Sequence, residues 1–133
     1  MDFLSIARSA LAQQPFSVHM GAEITHCSPQ HTEIHMPMKD EYTQQYGTAH
    51  GGALSFLADT ALAFAGAAAL QSIVVTSEFK IHYLKPAVGH RLTARARAIS
   101  HGQRQAVCQC DIYALKDGEE KMVATAIGTI LPR

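Results

Sequence analysis

Apolar positions change rhythm along the chain. Phe3, Ile6, Ala7, Ala10 and Leu11 recur at helical spacing until Pro15 interrupts them, which predicts a short amphipathic helix over 2–13. Residues 17–27 and 31–38 read as strands around a Ser28-Pro29-Gln30 turn. In the second of them Thr32, Ile34, Met36 and Met38 alternate with His31, Glu33 and His35. A polar loop follows, from Lys39 to Ala49. Then comes GGALSFLADTALAFAGAAALQS, where Asp59 is the one charged residue between His50 and Glu78. Its alanines favour helix, and its apolar residues cover every face, so this helix is expected to be buried all round.

Four β segments complete the chain: 73–84, 90–100, 104–115 and 120–131. Their separators, Pro86-Ala87-Val88-Gly89, His101-Gly102 and Asp117-Gly118, hold the Gly or Pro that tight connections need. Alternation is plain where Leu92, Ala94, Ala96 and Ala98 oppose Thr93, Arg95 and Arg97. Short links imply antiparallel neighbours. The expected architecture is α+β: an antiparallel sheet wrapped around one long buried central helix, as a single domain over 1–133. The helix is long enough to cross a membrane, but Asp59 near its middle, the many small residues and the strand-forming flanks argue against that.

Charge narrows the partners. There are 11 Lys+Arg and 11 Asp+Glu, a formal net charge of zero, which excludes a basic field for nucleic acid and a polybasic membrane anchor. With 47% of residues apolar and 17% charged the chain is set to fold and to associate, so an oligomer is expected. Three cysteines make no disulfide framework. Cys108 and Cys110 share a strand face, and no second Cys/His pair at ligand spacing accompanies them, so they read as buried small hydrophobes. The start of the chain, with Arg8 in its midst, does not read as a signal peptide. A reduced, cytoplasmic protein is the expectation. His31, Glu33 and His35 could suggest a metal trio but read as a solvated face. No metal or cofactor is expected.

The stretch Gln44-Gln45-Tyr46-Gly47-Thr48-Ala49-His50-Gly51-Gly52, with Asp59 beyond it, carries the chemistry. Two glycines at a helix start admit another molecule close to the backbone. They also present free N–H groups with the positive end of the helix dipole behind them. Such a place binds an anion or an oxygen becoming one. Asp59 lies seven residues beyond Gly52, on nearly the same face, and a carboxylate on an apolar helix is costly unless paired or used. Donor and carboxylate are parts for attack on a carbonyl. Taken singly, His50-Gly51-Gly52 is equally a loop with an N-cap, and Asp59 a structural carboxylate. Their combination favours function.

The pattern Gly-x-x-His-Gly-Gly-Ala-(x)6-Asp-Thr-Ala, followed by Thr76-Ser77-Glu78-Phe79-Lys80-Ile81-His82-Tyr83-Leu84-Lys85-Pro86-Ala87, resembles the hotdog-fold acyl-CoA thioesterases of the phenylacetate-pathway (PaaI-like) type, in the 4-hydroxybenzoyl-CoA thioesterase superfamily. The likeness runs from about residue 15 to the C-terminus and takes in His101-Gly102-Gln103-Arg104 and Gly128. It implies a hotdog fold assembled as a homodimer or as a dimer-of-dimers homotetramer. It also implies hydrolysis of an acyl-CoA, medium-chain or aryl-acyl, to free acid and CoA. Carried over by residue, it makes Asp59 the nucleophile or general base and the Gly51 amide the polariser of the thioester carbonyl. His50 and Gly52 hold the substrate and the helix start, and Thr76, from the partner subunit, helps to position water. Gln44 stands where the family commonly has Asn. Lys85 and Arg104 flank turns where the family meets the CoA phosphates. Leu54, Phe56, Leu57, Leu62, Phe79, Ile81 and Tyr83 are the apolar side chains available for an acyl pocket. The alternative is a non-catalytic acyl-CoA-binding hotdog protein; such regulators usually lack the helix carboxylate and carry an added DNA-binding region. A hotdog dehydratase needs a catalytic pair whose pattern is not found here.

Overall fold

The computed structural model describes Met1–Arg133 and puts the alternating segments into one six-stranded sheet. The elements in order are α1 (Phe3–Ala12), α2 (Pro15–Met20), β1 (Glu23–Cys27), β2 (Thr32–Pro37), a one-turn 3₁₀ helix (Asp40–Tyr42), α3 (Gly51–Leu70), β3 (Val74–Tyr83), β4 (Arg91–His101), β5 (Ala106–Lys116) and β6 (Glu119–Pro132). Strand order is β1-β2-β4-β5-β6-β3, and every pairing is antiparallel. β3, which follows the long helix, therefore lies at an edge beside the last strand. Asp117 and Gly118 take φ of 52° and 76° in the two-residue loop between the paired Lys116 and Glu119. Such positive-φ pairs match the twist of a hairpin, which is why Asp-Gly stands there.

Alternation becomes burial. Thr32, Ile34 and Met36 are buried on β2, with Leu92, Ala94 and Ala96 on β4 and Cys108, Cys110 and Ile112 on β5. These residues meet the face of α3 made by Ala53, Leu54, Leu57, Ala58, Ala61, Leu62, Ala65 and Gly66. Small residues on both sides let the helix approach the sheet closely. A Cβ added at Gly66 would stand 2.5 Å from Cγ2 of Ile130. Burial pushes the Cys108 thiol up to about 11, and burial together with the Asp111 charge raises that of Cys110, so both behave as the apolar fillers expected.

Two expectations need correcting. Residues 17–27 are not one strand: Pro15 ends α1 and occupies the first turn of α2, which stops at Gly21 with φ 72°. Proline suits a first helical turn and glycine a left-handed cap, and this local chemistry overrides the period-two alternation of Phe16, Val18 and Met20. Nor is α3 buried all round. Ser55, Phe56, Asp59, Thr60, Ala63, Phe64 and Ala67 are only half-buried, because the sheet covers one side of the helix and this stripe faces away from it. The His31–Glu33–His35 face is a charge network. Glu33 accepts from Arg95 at 3.0 Å, lies 3.5 Å from His31, and shares Arg95 with Glu120. Burial alone would raise the Glu33 carboxyl, but Arg95 and His31 outweigh it and hold it below the usual carboxylate range.

Gly66→Ala should therefore destabilise the protein. Overpacking against Ile130 costs about 1–3 kcal/mol, more than the helix propensity regained. A urea midpoint equal to or above wild type would show that the sheet yields there.

Candidate active site

The loop before α3 is built to deliver one residue to the helix start. The 3₁₀ turn buries Tyr42, whose carbonyl accepts the His50 N–H at 2.7 Å, and Ala49 N–H donates to the Ala87 carbonyl at 2.9 Å. Gln44 shapes the loop itself: its Nε2 bonds Thr48 Oγ1 and its Oε1 accepts from Tyr46 N–H. The carboxamide expected at the site is thus engaged at both ends in the Tyr46–Thr48 turn, and Gln44 braces the loop.

His50 is the N-cap of α3. Its Nδ1 accepts the Gly52 N–H at 2.8 Å, and its carbonyl accepts those of Ala53 and Leu54. Of the four amides a helix start leaves over, three are claimed and the Gly51 N–H alone has no acceptor in the chain. The two glycines therefore divide their work. Gly52 completes the cap, and Gly51 offers a donor at the positive end of the dipole. Tyr83, from the far end of β3, closes this corner: its hydroxyl donates to the Gly51 carbonyl at 3.1 Å and lies 2.7 Å from Ser55 Oγ. From the sequence Tyr83 reads only as a pocket wall: its alternation with Phe79 and Ile81 gives its face, but not the helix turn it reaches.

Asp59 stands on the outer stripe of α3, and its Oδ1 is buried with no hydrogen-bond partner. An unpaired buried carboxylate oxygen is expensive and calls for a proton, a water or a ligand. It is eight residues from Gly51, and at about 1.5 Å per residue that is ~12 Å along the helix. A carbonyl touched by a donor on its oxygen and by a nucleophile on its carbon needs both within roughly 3 Å. The Gly51 and Asp59 of one chain cannot serve the same carbonyl. Gly52 and Asp59 share a face, as expected, but Gly51 and Asp59 share no reacting atom.

The other expected residues are also dispersed. Thr76 is seven residues before Tyr83, ~23 Å along β3, and so stands well away from the Gly51 corner of its own chain. Lys85 follows β3 near the β5–β6 hairpin, whereas Arg104 sits in the β4–β5 turn, with the eleven residues of β5, ~34 Å, between these ends. Leu54, Leu57 and Leu62 are buried under the sheet. Phe56 and Phe64 remain on the open stripe.

Similarity to known proteins agrees with this architecture. Residues 46–121 match the model of the thioesterase superfamily. A thioesterase family protein from Silicibacter pomeroyi is similar in structure with a TM-score of 0.89 and 32% identity, covering 97% of this chain and 96% of that one. A thioesterase from Haemophilus influenzae follows at TM-score 0.84 and 28% identity, over 96% and 88% of the two chains. The Escherichia coli PaaI protein of the phenylacetic acid degradation operon shares the fold at TM-score 0.80 and 24% identity, over 98% and 96%.

The cap makes a structural prediction. His50→Ala leaves the Gly52 amide unclaimed and should lower stability by about 1 kcal/mol, while His50→Asn, a preferred cap, should recover most of it. Equal melting temperatures for His50→Ala and wild type would mean that the His50 ring does not cap α3.

Proposed function

The chain belongs to the thioesterase superfamily, and from that premise we propose that it is an acyl-CoA thioesterase of the PaaI-like type, hydrolysing an acyl-CoA, medium-chain or aryl-acyl, to free acid and CoA. One observation carries this reading: an unclaimed Gly51 amide at a helix start and an unpaired Asp59 carboxylate oxygen, in a chain with this fold. The thioester oxygen accepts from Gly51 N–H, and the dipole of α3 supports the charge that grows on it. Where Asp59 takes a proton from the attacking water, the C–S bond breaks, that proton passes to the departing thiolate and the acyl group leaves as carboxylic acid. Where Asp59 attacks the carbonyl carbon itself, the thiolate leaves and a mixed anhydride forms on Asp59. Water then opens it, giving the free acid and a proton for the thiolate.

Since ~12 Å separates the two groups in one helix, the reading pairs Gly51 of one copy with Asp59 of a second. Thr76, remote from its own Gly51, joins from that second copy. The unpaired outer edge of β3 and the half-covered stripe of α3 are the surfaces available to a homodimer, and dimers pair further into a tetramer. A CoA placed at Gly51 has Lys85 of that chain at hand and reaches Arg104 only from another copy; guanidinium and ammonium groups suit its phosphates. Three free cysteines fit a reducing cytoplasm.

Two substitutions test the chemistry. Asp59→Asn keeps shape and should fold and assemble while losing about 10²–10⁴-fold in turnover. Gly51→Pro deletes one N–H at a position that tolerates proline, since His50 already has φ −61° and ψ 138°. It should cost roughly 10²–10³-fold in kcat. Gly51→Ala is its control: the same added Cβ, 3.2 Å from the Tyr83 ring, with the donor kept. Unchanged turnover in Asp59→Asn, with acyl-CoA bound and hydrolysed, would end the mechanism. Binding without turnover in wild type would favour the non-catalytic alternative.

A further inference from the structure

We infer that the cavity between α1 and the outer stripe of α3 holds the tail of a linear acyl chain, so that α1 sets the chain length this protein accepts. The inference rests on the reading of Asp59 as the reacting carboxylate. The cavity has a volume of about 460 Å³, within the range of small-molecule sites. Phe3, Ile6 and Ala10 of α1 form one wall, and Ala63, Phe64 and Ala67 of α3 the other. The stripe leads there from the reacting carboxylate. Asp59, Ala63 and Ala67 follow one another at four-residue spacing, on one face, with small side chains after the aspartate. No charged side chain lines the cavity.

Length follows from geometry. Ala67 lies ~12 Å beyond Asp59 along the helix. With carbon–carbon bonds of ~1.5 Å at near-tetrahedral angles, an extended chain advances ~1.3 Å per carbon, so about nine carbons cover that span. A carbonyl held at Asp59 places the end of an acyl group of about eight to twelve carbons in the cavity. A two- to four-carbon acyl group stops short of it, and a rigid aryl group leaves it empty. The α1 wall precedes the segment 46–121 that matches the family model, while the α3 wall lies within it.

Kinetics and a thiol probe test this independently. Ala67→Phe and, on the opposite wall, Ile6→Trp should reduce kcat/KM for decanoyl-CoA about 10-fold or more while leaving butanoyl-CoA within about 3-fold, the discrimination expected of filling an apolar pocket. Cys27 lines the cavity and is half-buried, whereas Cys108 and Cys110 are fully buried. Burial raises the Cys27 thiol, so its alkylation by N-ethylmaleimide is slow, but it is the reactive site of the folded chain. A non-hydrolysable decanoyl-CoA thioether should slow that alkylation several-fold further, and desulfo-CoA, which has no thiol to consume the reagent, should not. Equal losses for short and long acyl groups would overturn the inference, as would a wild-type preference for acetyl- or aryl-CoA. So would dissociation of the oligomer by both variants, which would mean that a second copy covers the cavity. If no acyl-CoA is hydrolysed, the reading of Asp59 fails instead, and the Cys27 protection then decides whether the cavity takes an alkyl chain.

Discussion

A twenty-residue apolar helix cannot lie in water, and in this chain the sheet covers only one side of it. Everything else depends on that half-coverage. The covered side is made of alanine, leucine and one glycine, pressed close enough to β6 that Gly66 has no space for a methyl group. The uncovered side keeps Phe56, Phe64 and a run of alanines at the surface, with Asp59 among them. One oxygen of that carboxylate is buried and unpaired, which suits reaction far better than stability.

The start of the same helix is governed by an equally strict limit. Four amides must find acceptors: the Tyr42 carbonyl takes that of His50, the His50 ring takes that of Gly52, and the His50 carbonyl takes that of Ala53. The remaining amide belongs to Gly51, where the missing side chain leaves room for Tyr83 and for an approaching oxygen. Tyr83 ties this corner to the edge strand, so the donor is held by the sheet as well as by the loop. A rigid donor needs no reorganisation when charge develops, which is the condition for an oxyanion site.

Much of this was legible in the chain. The period of β2, β4 and β5 gave the inner face, Asp117-Gly118 gave the hairpin, and the apolar run around Asp59 gave the central helix. Gly51, His50 and Asp59 stood out because glycine pairs and lone carboxylates have few structural uses in a helix. What escaped had physical reasons. α2 is too short for periodicity to separate it from a strand. Gln44 turned to its own loop because its amide found partners two and four residues away, and the reach of Tyr83 depends on β3 being an edge strand beside α3. The division of Gly51 from Asp59 was already implied by the rise per residue.

The central claim is that donor and carboxylate come from different copies, and one measurement meets it directly. Chains carrying Gly51→Pro and chains carrying Asp59→Asn are unfolded, mixed in equal amounts and refolded together, and thioester hydrolysis is compared with each parent treated alone. In a two-fold dimer half of the molecules are mixed and each has one of its two sites intact, so the account predicts recovery to about one quarter of wild-type activity. A mixture as inactive as its parents, with hybrids shown to be present, would mean that each site draws both groups from one chain and would contradict the account.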